Sequence, residues 1–394
     1  MAADKKGRKL PQGIRRRANG RYEIRVKKDG KSHSVYADTL TEAKKKKAEL
    51  TYKLEQGIFV EKQKITLDTW FDTWIEEYKR NRVKVGTIIR YKEVYEDIIK
   101  NRYGSRQLSN IRGEHIQSLY NELNDKGYAN ATIKLVSAIL NGCLQQAMRN
   151  GLIERNPVRL AEIPRETKKR KGRIAMTKDQ QTLFMEYAKG SYLYNLFGIM
   201  LSTGVRCGEA LGLIYSLDVD KKKNVLHVQR TLKYENLDAN NVPEELRVKG
   251  QDYHGGSGFY IDKPKTGQSL RDIPLTDNII RLLDNQRNYW GFKVEKFDRF
   301  LFCSEEGKPL NRIRVQAEIN RIIKEIRAAG HDFPHITPHI FRHTFATRAV
   351  ESGVKPEVLK EILGHSSISM TMDLYYHNMD DVKQEEMQKI AYAF

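Results

Sequence analysis

The apolar residues of this chain change period along its length, and that change constrains its fold more than any single motif. Between residues 20 and 37, "GRYEIRVKKDGKSHSVYA", Tyr22, Ile24 and Val26 alternate with Arg21, Arg25 and Lys27, and Asp29-Gly30 marks a tight turn. A hairpin with one basic face is expected, within a small three-stranded sheet. Thr39 and Glu42 in "TLTE" form a capping box that opens a helix through about Leu54, so one helix should back the sheet. From Thr66 the period lengthens. Leu67, Trp70, Phe71, Trp74, Ile75 and Tyr78 recur at steps of three and four, as do Ile133, Val136, Leu140, Cys143, Leu144 and Ala147 up to Gly151. With shorter helices near 87–100 and 113–125, residues 64–163 read as a helical domain whose stripes form a core.

The stretch "PRETKKRKGR", residues 164–173, has six basic residues, one acidic residue and no apolar period, and it reads as part of an exposed linker over 164–176. Lys169 and Arg170 within it could track a phosphate backbone. A third domain, of mixed helices and hairpins, begins at Thr177, where Thr177 and Gln180 make another capping box, and extends to 394. The expected fold class is multidomain and mainly α with small β elements.

Charge restricts the partner. The formal net charge is +20, and residues 1–60 hold 17 Lys and Arg against 7 Asp and Glu. Each phosphate neutralised by Lys or Arg releases a counterion, so a polyanion is expected, nucleic acid first and a membrane surface second. A small basic sheet is narrow enough for a major groove, and Arg21, Arg25 and Lys27 are its candidate contacts. No run of about 18 apolar residues could span a bilayer, and "MAADKKGRKL" lacks the apolar centre of a secretory signal. A soluble, cytoplasmic protein is expected. Cys143, Cys207 and Cys303 are far apart, without C-x-x-C spacing, so neither a disulfide framework nor a zinc cluster is indicated.

Candidate chemistry lies in the third domain. In "TGVRCGEALGL", Gly204 ends an apolar helix and Arg206 starts the next, with Glu209 placed to hold its guanidinium from behind. In "DKPKTGQSLRDIPL", a turn carrying Lys263 and Lys265 leads into a strand ending at Pro274. Lys265 could donate a proton if nearby positive charge lowered its pKa. In "ITPHIFRHTFATRAVESG", His339 and Arg342 share one face of a helix that follows Pro338. Histidines at 331, 335, 339 and 343 invite a metal reading, but Pro334 and Pro338 interrupt any helix that would align them, so no metal is expected. "LGHSSISMTMDLYYH" then offers His365 and the adjacent Tyr375 and Tyr376.

Arg206, Lys265, His339, Arg342, His365 and Tyr375, in this order and in these motifs, resemble the tyrosine recombinase, or phage integrase, family across residues 177–377. The layout upstream is similar to that of integrases of conjugative transposons and temperate phages. The resemblance implies an arm-type DNA-binding domain (1–60), a core-binding domain (64–163) and an α+β catalytic domain (177–394). It implies site-specific recombination without metal, ATP or other cofactor, on double-stranded attachment sites, by a homo-oligomer that is tetrameric in the synapse. An excisionase or host DNA-bending protein could assist. It makes Tyr375 the nucleophile, Lys265 the general acid and Arg206 with Arg342 the phosphate clamp; His339 and His365 would bond the same oxygens or accept the phenolic proton. The segment 234–262 exceeds the needs of a hairpin, and an inserted element touching DNA or a neighbouring subunit is expected. Met387, Ile390, Ala391 and Phe394 make a C-terminal stripe that must be buried, in cis or on an adjacent protomer. A type IB topoisomerase and a purely DNA-binding regulator remain the rival readings.

Overall fold

The fold is given by a computed structural model, which describes residues 10–28, 30–55, 65–165, 175–236, 242–251, 256–262, 270–289, 300–372 and 375. The chain forms two compact units, Met1–Lys169 and Arg170–Phe394.

The first unit opens with an antiparallel sheet, β1 (Ile14–Arg16), β2 (Tyr22–Lys28) and β3 (Lys31–Ala37), in that order. Alternation sends Ile14, Tyr22, Ile24 and Ala37 to one face, where they pack with Ala43 of α1 (Leu40–Glu55). At the start of α1 Thr39 Oγ1 accepts from the Glu42 amide (3.2 Å), while the Glu42 carboxylate reaches one residue further back, to the Asp38 amide (3.0 Å).

Four helices follow: α2 (Leu67–Thr73), running on through Lys79 in wider π-type turns; α3 (Val85–Val94), extended likewise through Gly104; α4 (Gly113–Asp125); and α5 (Asn130–Arg149). Their stripes meet in one core, in which the Phe71 and Tyr95 rings stack at 3.7 Å and the Trp70 indole donates to the Cys143 carbonyl at 2.9 Å. Each large side chain buried here contributes roughly 1.5–3 kcal/mol.

The second unit is built on α6 (Lys178–Tyr187) and α7 (Tyr194–Thr203), followed by the short α8 (Cys207–Leu211) and α9 (Tyr215–Asp218). Then come β4 (Val219–Asp220), β5 (Val225–Val228), β6 (Thr231–Asn236), β7 (Ser257–Asp262) and β8 (Arg271–Pro274), and four helices, α10 (Asp277–Tyr289), α11 (Arg312–Ala328), α12 (Pro338–Glu351) and α13 (Pro356–Leu363). β4, β5 and β8 form an antiparallel sheet with Leu226 opposite Ile273, and β6 pairs with β7. The Thr177–Gln180 capping box forms in both directions. Phe184, Phe197 and Phe341 bring α6, α7 and α12 together with ring centroids 5.3 Å apart in each pair. Helix α7 is buried over most of its surface, continuously from Asn195 to Met200, and the Asn195 amide finds a buried partner in Gln286 at 3.1 Å.

Within the long β6–β7 connection, residues 242–251 fold back on the hairpin. Val242 and Val248 are buried, Arg247 bridges Tyr260, and the Gln251 side chain bonds both backbone groups of Phe259. Lys263, Lys265, Lys169, Arg170, Tyr376 and the stripe from Met387 to Phe394 lie outside the described residues.

Candidate active site

The site forms where the ends of three helices meet strand β8. Helix α7 ends at Gly204 in a left-handed conformation (φ 66°), and a Cβ there would lie 2.3 Å from Phe345, so glycine is required on both counts. The chain then turns straight into α8, with Arg206 at its N-cap. Glu209, one turn on, accepts from the Arg206 amide (2.9 Å) and from Arg206 Nη1 (2.7 Å).

Behind this pair stands Arg271 of β8. Its Nη2 lies 2.7 Å from Glu209 Oε2, and its Nε donates to the Ile362 carbonyl at 2.7 Å. Arg342 of α12 donates to the Gly204 carbonyl (2.9 Å) and to the Leu363 carbonyl (2.6 Å). Two arginines thus satisfy the last carbonyls of α13, where cations suit the helix dipole. Arg342 is 4 % exposed, whereas 40 % of the Arg206 side chain is open.

Electrostatics follow from this packing. Burial works to raise the Glu209 carboxyl, but the bonds and charge of Arg271, with Arg206, override it and hold the pKa at about 2. Burial lowers Arg342, as do Arg206 and Arg271, to about 9, so it stays charged at neutral pH. Burial also lowers His365, joined by Arg342, Arg206 and Arg271, to about 4, which makes it a neutral imidazole at pH 7. Its Nδ1 pairs with the hydroxyl of the fully buried Thr371 at 2.9 Å. Neutral His365 can accept a proton or donate a hydrogen bond without adding charge.

Two clefts flank the cluster. One, of 850 Å³, is lined by Arg206, Lys233, Arg312 and the exposed His339; the other, of 740 Å³, by Arg271, Lys360 and His365. The His339 ring packs edge-on against His343 at 4.6 Å. Tyr375 packs against α12 and α13 beside Ala349, Val350 and Val354, with its hydroxyl donating to the Val354 carbonyl. Burial raises its pKa, and Glu357 adds to the effect.

Sequence comparison matches this unit to the model of the phage integrase family over residues 175–381, more than half of the chain. The chain belongs to the phage integrase family. A second model, the N-terminal SAM-like domain of phage integrases, matches residues 66–124, within the four-helix region. A tyrosine recombinase XerC-like protein of Caldanaerobacter subterraneus subsp. tengcongensis is 29 % identical over 91 % of each chain. The transposase from transposon Tn916 of Enterococcus faecalis is 25 % identical over 98 % of this chain and 96 % of its own. Among solved structures, that of the Tn1549 transposon integrase with a circular intermediate DNA has a TM-score of 0.67 at 24 % identity, over 83 % of this chain and 99 % of the other. As a tyrosine recombinase of this family, the protein cuts and rejoins DNA at specific sites through a tyrosine.

The structure brings together Arg206, Glu209, Arg342 and His365 and puts His339 at the rim of the adjoining cleft. Arg271 joins them from outside the six residues that carry the resemblance, although "LRDIPL" carried a signal. Arg271 shares the inward face of β8 with buried Ile273, and an arginine at an inward strand position needs a buried partner. In the basic sheet, Arg21 pairs with Asp38 at 2.7 Å, Arg25 pairs with Glu23 at 3.2 Å, and Lys27 is exposed.

Proposed function

We propose that Tyr375 is the nucleophile of this recombinase and that Arg206 and Arg342 hold the scissile phosphate. The observation that supports this is the network in which one buried carboxylate, Glu209, organises Arg206 and Arg271, while Arg342 is held by main-chain carbonyls. The phenolic oxygen of Tyr375 attacks phosphorus, a 3′-phosphotyrosyl bond forms, and the bond to the 5′ oxygen breaks. Lys265 gives its proton to that departing oxygen. The phenolic proton passes to His339 or His365, or to water. Rejoining is the reverse reaction with a different 5′ hydroxyl, and since bond energy is conserved no ATP is required.

Each protomer supplies one nucleophile, and exchange of two duplexes cuts four strands, so the synaptic assembly is a tetramer on double-stranded attachment sites. The full-length match to a conjugative-type transposase supports a mobile element of that class as the cargo, integrated and excised in the bacterial cytoplasm. An excisionase or a DNA-bending protein would set direction. The sheet of residues 1–60, with Arg21, Arg25 and Lys27, acts as the arm-type DNA reader, residues 64–163 grip the core site, and Lys169 and Arg170 follow the backbone between core-binding and catalytic domains.

The test incubates the protein, Tyr375→Phe and Tyr376→Phe with a duplex from the element's own end, nicked so that cleavage is trapped, in EDTA. A denaturation-resistant adduct lost only in Tyr375→Phe is expected. Loss only in Tyr376→Phe would move the nucleophile by one residue, and no adduct despite tight binding would leave a binding protein.

A further inference from the structure

On the exposed face of the three-stranded sheet, three guanidiniums surround one carboxylate. The cross-strand register puts Arg15 of β1, Glu23 of β2 and Tyr36 of β3 in one row, with Arg25 two residues along β2 on the same face. Glu23 Oε2 accepts from Nε of Arg15 at 2.5 Å and from Nε of Arg17 at 2.9 Å, and Oε1 accepts from Nη2 of Arg25 at 3.2 Å. The three arginine side chains are about half exposed, while that of Glu23 is 2 % exposed beneath them. Arg17 also lies over the Tyr36 ring, 5.2 Å from its centroid. The bonds from Arg17 and Arg15 outweigh the cost of burying Glu23 and hold its pKa at about 2, so the carboxylate stays charged at any physiological pH.

Which nitrogens are engaged matters. Arg15 and Arg17 both commit Nε, and their Nη1–Nη2 edges make no hydrogen bond to a described residue. That edge is the fork that matches O6 and N7 of guanine in a major groove. A surface meant only to adhere to phosphate gains nothing from a central carboxylate, which removes one positive charge and weakens non-specific attraction. A surface meant to read bases gains a great deal, because the carboxylate fixes long, rotamer-rich side chains in advance.

We propose that Glu23 is a positioning residue that presets Arg15 and Arg17 as a guanine-reading pair, with Arg25 steadying its other oxygen through Nη2, so that the sheet selects sequence rather than charge. This rests on the reading of the sheet as a DNA-binding element. A bidentate arginine–guanine pair discriminates by about tenfold or more. Loss of Glu23 therefore lowers affinity for the selected sequence while leaving or improving affinity for arbitrary DNA.

The experiment uses the full chain and a library of random duplexes at physiological salt, with bound DNA sequenced and affinities then measured on the selected sequence and on a scrambled duplex. The double variant Arg15→Ala/Arg17→Ala should lose a guanine-bearing motif and weaken on both duplexes. Glu23→Gln should lose the same motif by about tenfold yet bind the scrambled duplex as tightly as wild type or more so. Glu23→Asp, which keeps the charge but withdraws the oxygens, should lose selectivity without change on the scrambled duplex, and it covers the case in which Glu23→Gln fails to fold. If the arginine variant loses the motif but both Glu23 variants keep it, the positioning role is overturned. If the arginine variant keeps every selected motif, the sheet is not the reader and the underlying assignment fails instead.

Discussion

Arg271→Met tests whether the cations proposed to hold the scissile phosphate are supported from behind by a buried ion pair. The substitution keeps much of the side-chain volume but removes the two contacts to Glu209, at 2.7 and 3.3 Å, and the bond to the Ile362 carbonyl. Breaking one side of a buried pair costs about 3–5 kcal/mol. The Glu209 carboxyl is held low, at about 2, by Arg271 together with Arg206 against the cost of its burial, so removing Arg271 leaves it paired with Arg206 alone. Glu209 is a depressed carboxyl, so its contribution is fully present above pH 4.5 and is lost as pH falls towards 2. Urea unfolding followed by hydrogen exchange of α8 and α13 peptides should place the variant about 3 kcal/mol below wild type at pH 7, with the gap closing as pH falls from 4.5 to 2. A gap under about 1 kcal/mol at pH 7, or one equally large at pH 2, would sink the argument. Pairing Arg271→Met with Glu209→Gln should recover part of the loss, because no charge is then left buried without a partner.

Other perturbations probe single contacts. Gly204→Ala should cost about 2 kcal/mol or more in thermal or urea unfolding, since φ is 66° and the new methyl meets Phe345 at 2.3 Å. Thr371→Val removes the hydroxyl on His365 Nδ1 and should slow strand cleavage about tenfold with little change in DNA affinity; an equal fall in both would show a structural role. The pH profile of cleavage should show no limb from His365 until pH approaches 4, where the imidazole becomes charged, and a limb near 6.5 that disappears in a His365 variant would contradict this. Glu357→Gln removes a negative charge that raises the Tyr375 phenol, so the alkaline rise of adduct formation should move to lower pH.

The elements announced themselves where one physical signal acted alone. Period-2 alternation in Tyr22, Ile24 and Val26 marked a strand whose inner face is buried, and the Thr177–Gln180 box placed a helix start to the residue. Motif order singled out Arg206, His339, Arg342 and His365 as candidates, and the first two open on the same cleft. Arg271 and Glu23 were hidden because both are charged residues whose importance comes from long-range partners. Glu23 reads locally as one acid on a basic strand, and its three arginines converge only when β1 folds against β2. Arg271 finds Glu209 across 62 residues and Ile362 across 91, distances that no periodicity spans. The attachment of the Tyr375 hydroxyl to the Val354 carbonyl was equally invisible, since main-chain acceptors leave no trace in residue identity.

The manner in which the cations are held bears on catalysis. Glu209 shares its one negative charge between Arg206 and Arg271, while Arg342 is held by the Gly204 and Leu363 carbonyls, which cancel none of its charge. Among these described residues the balance is three positive charges against one negative, and His365 is neutral. A phosphodiester carries one negative charge, and attack by a phenolate brings the five-coordinate phosphorus to two. Under the proposed role of Arg206 and Arg342, a fixed excess of two positive charges would match the transition state better than the bound substrate, which is the condition under which binding energy lowers the barrier rather than KM. Replacing the carbonyl ligands by a second carboxylate would leave Arg342 equally well placed but would halve that excess. Arg271→Met, which lowers the excess from two to one without removing a ligand of Arg342, should lower cleavage far more than DNA binding if charge excess is what matters. A proportional loss of both would show that the arginines act mainly as ground-state anchors.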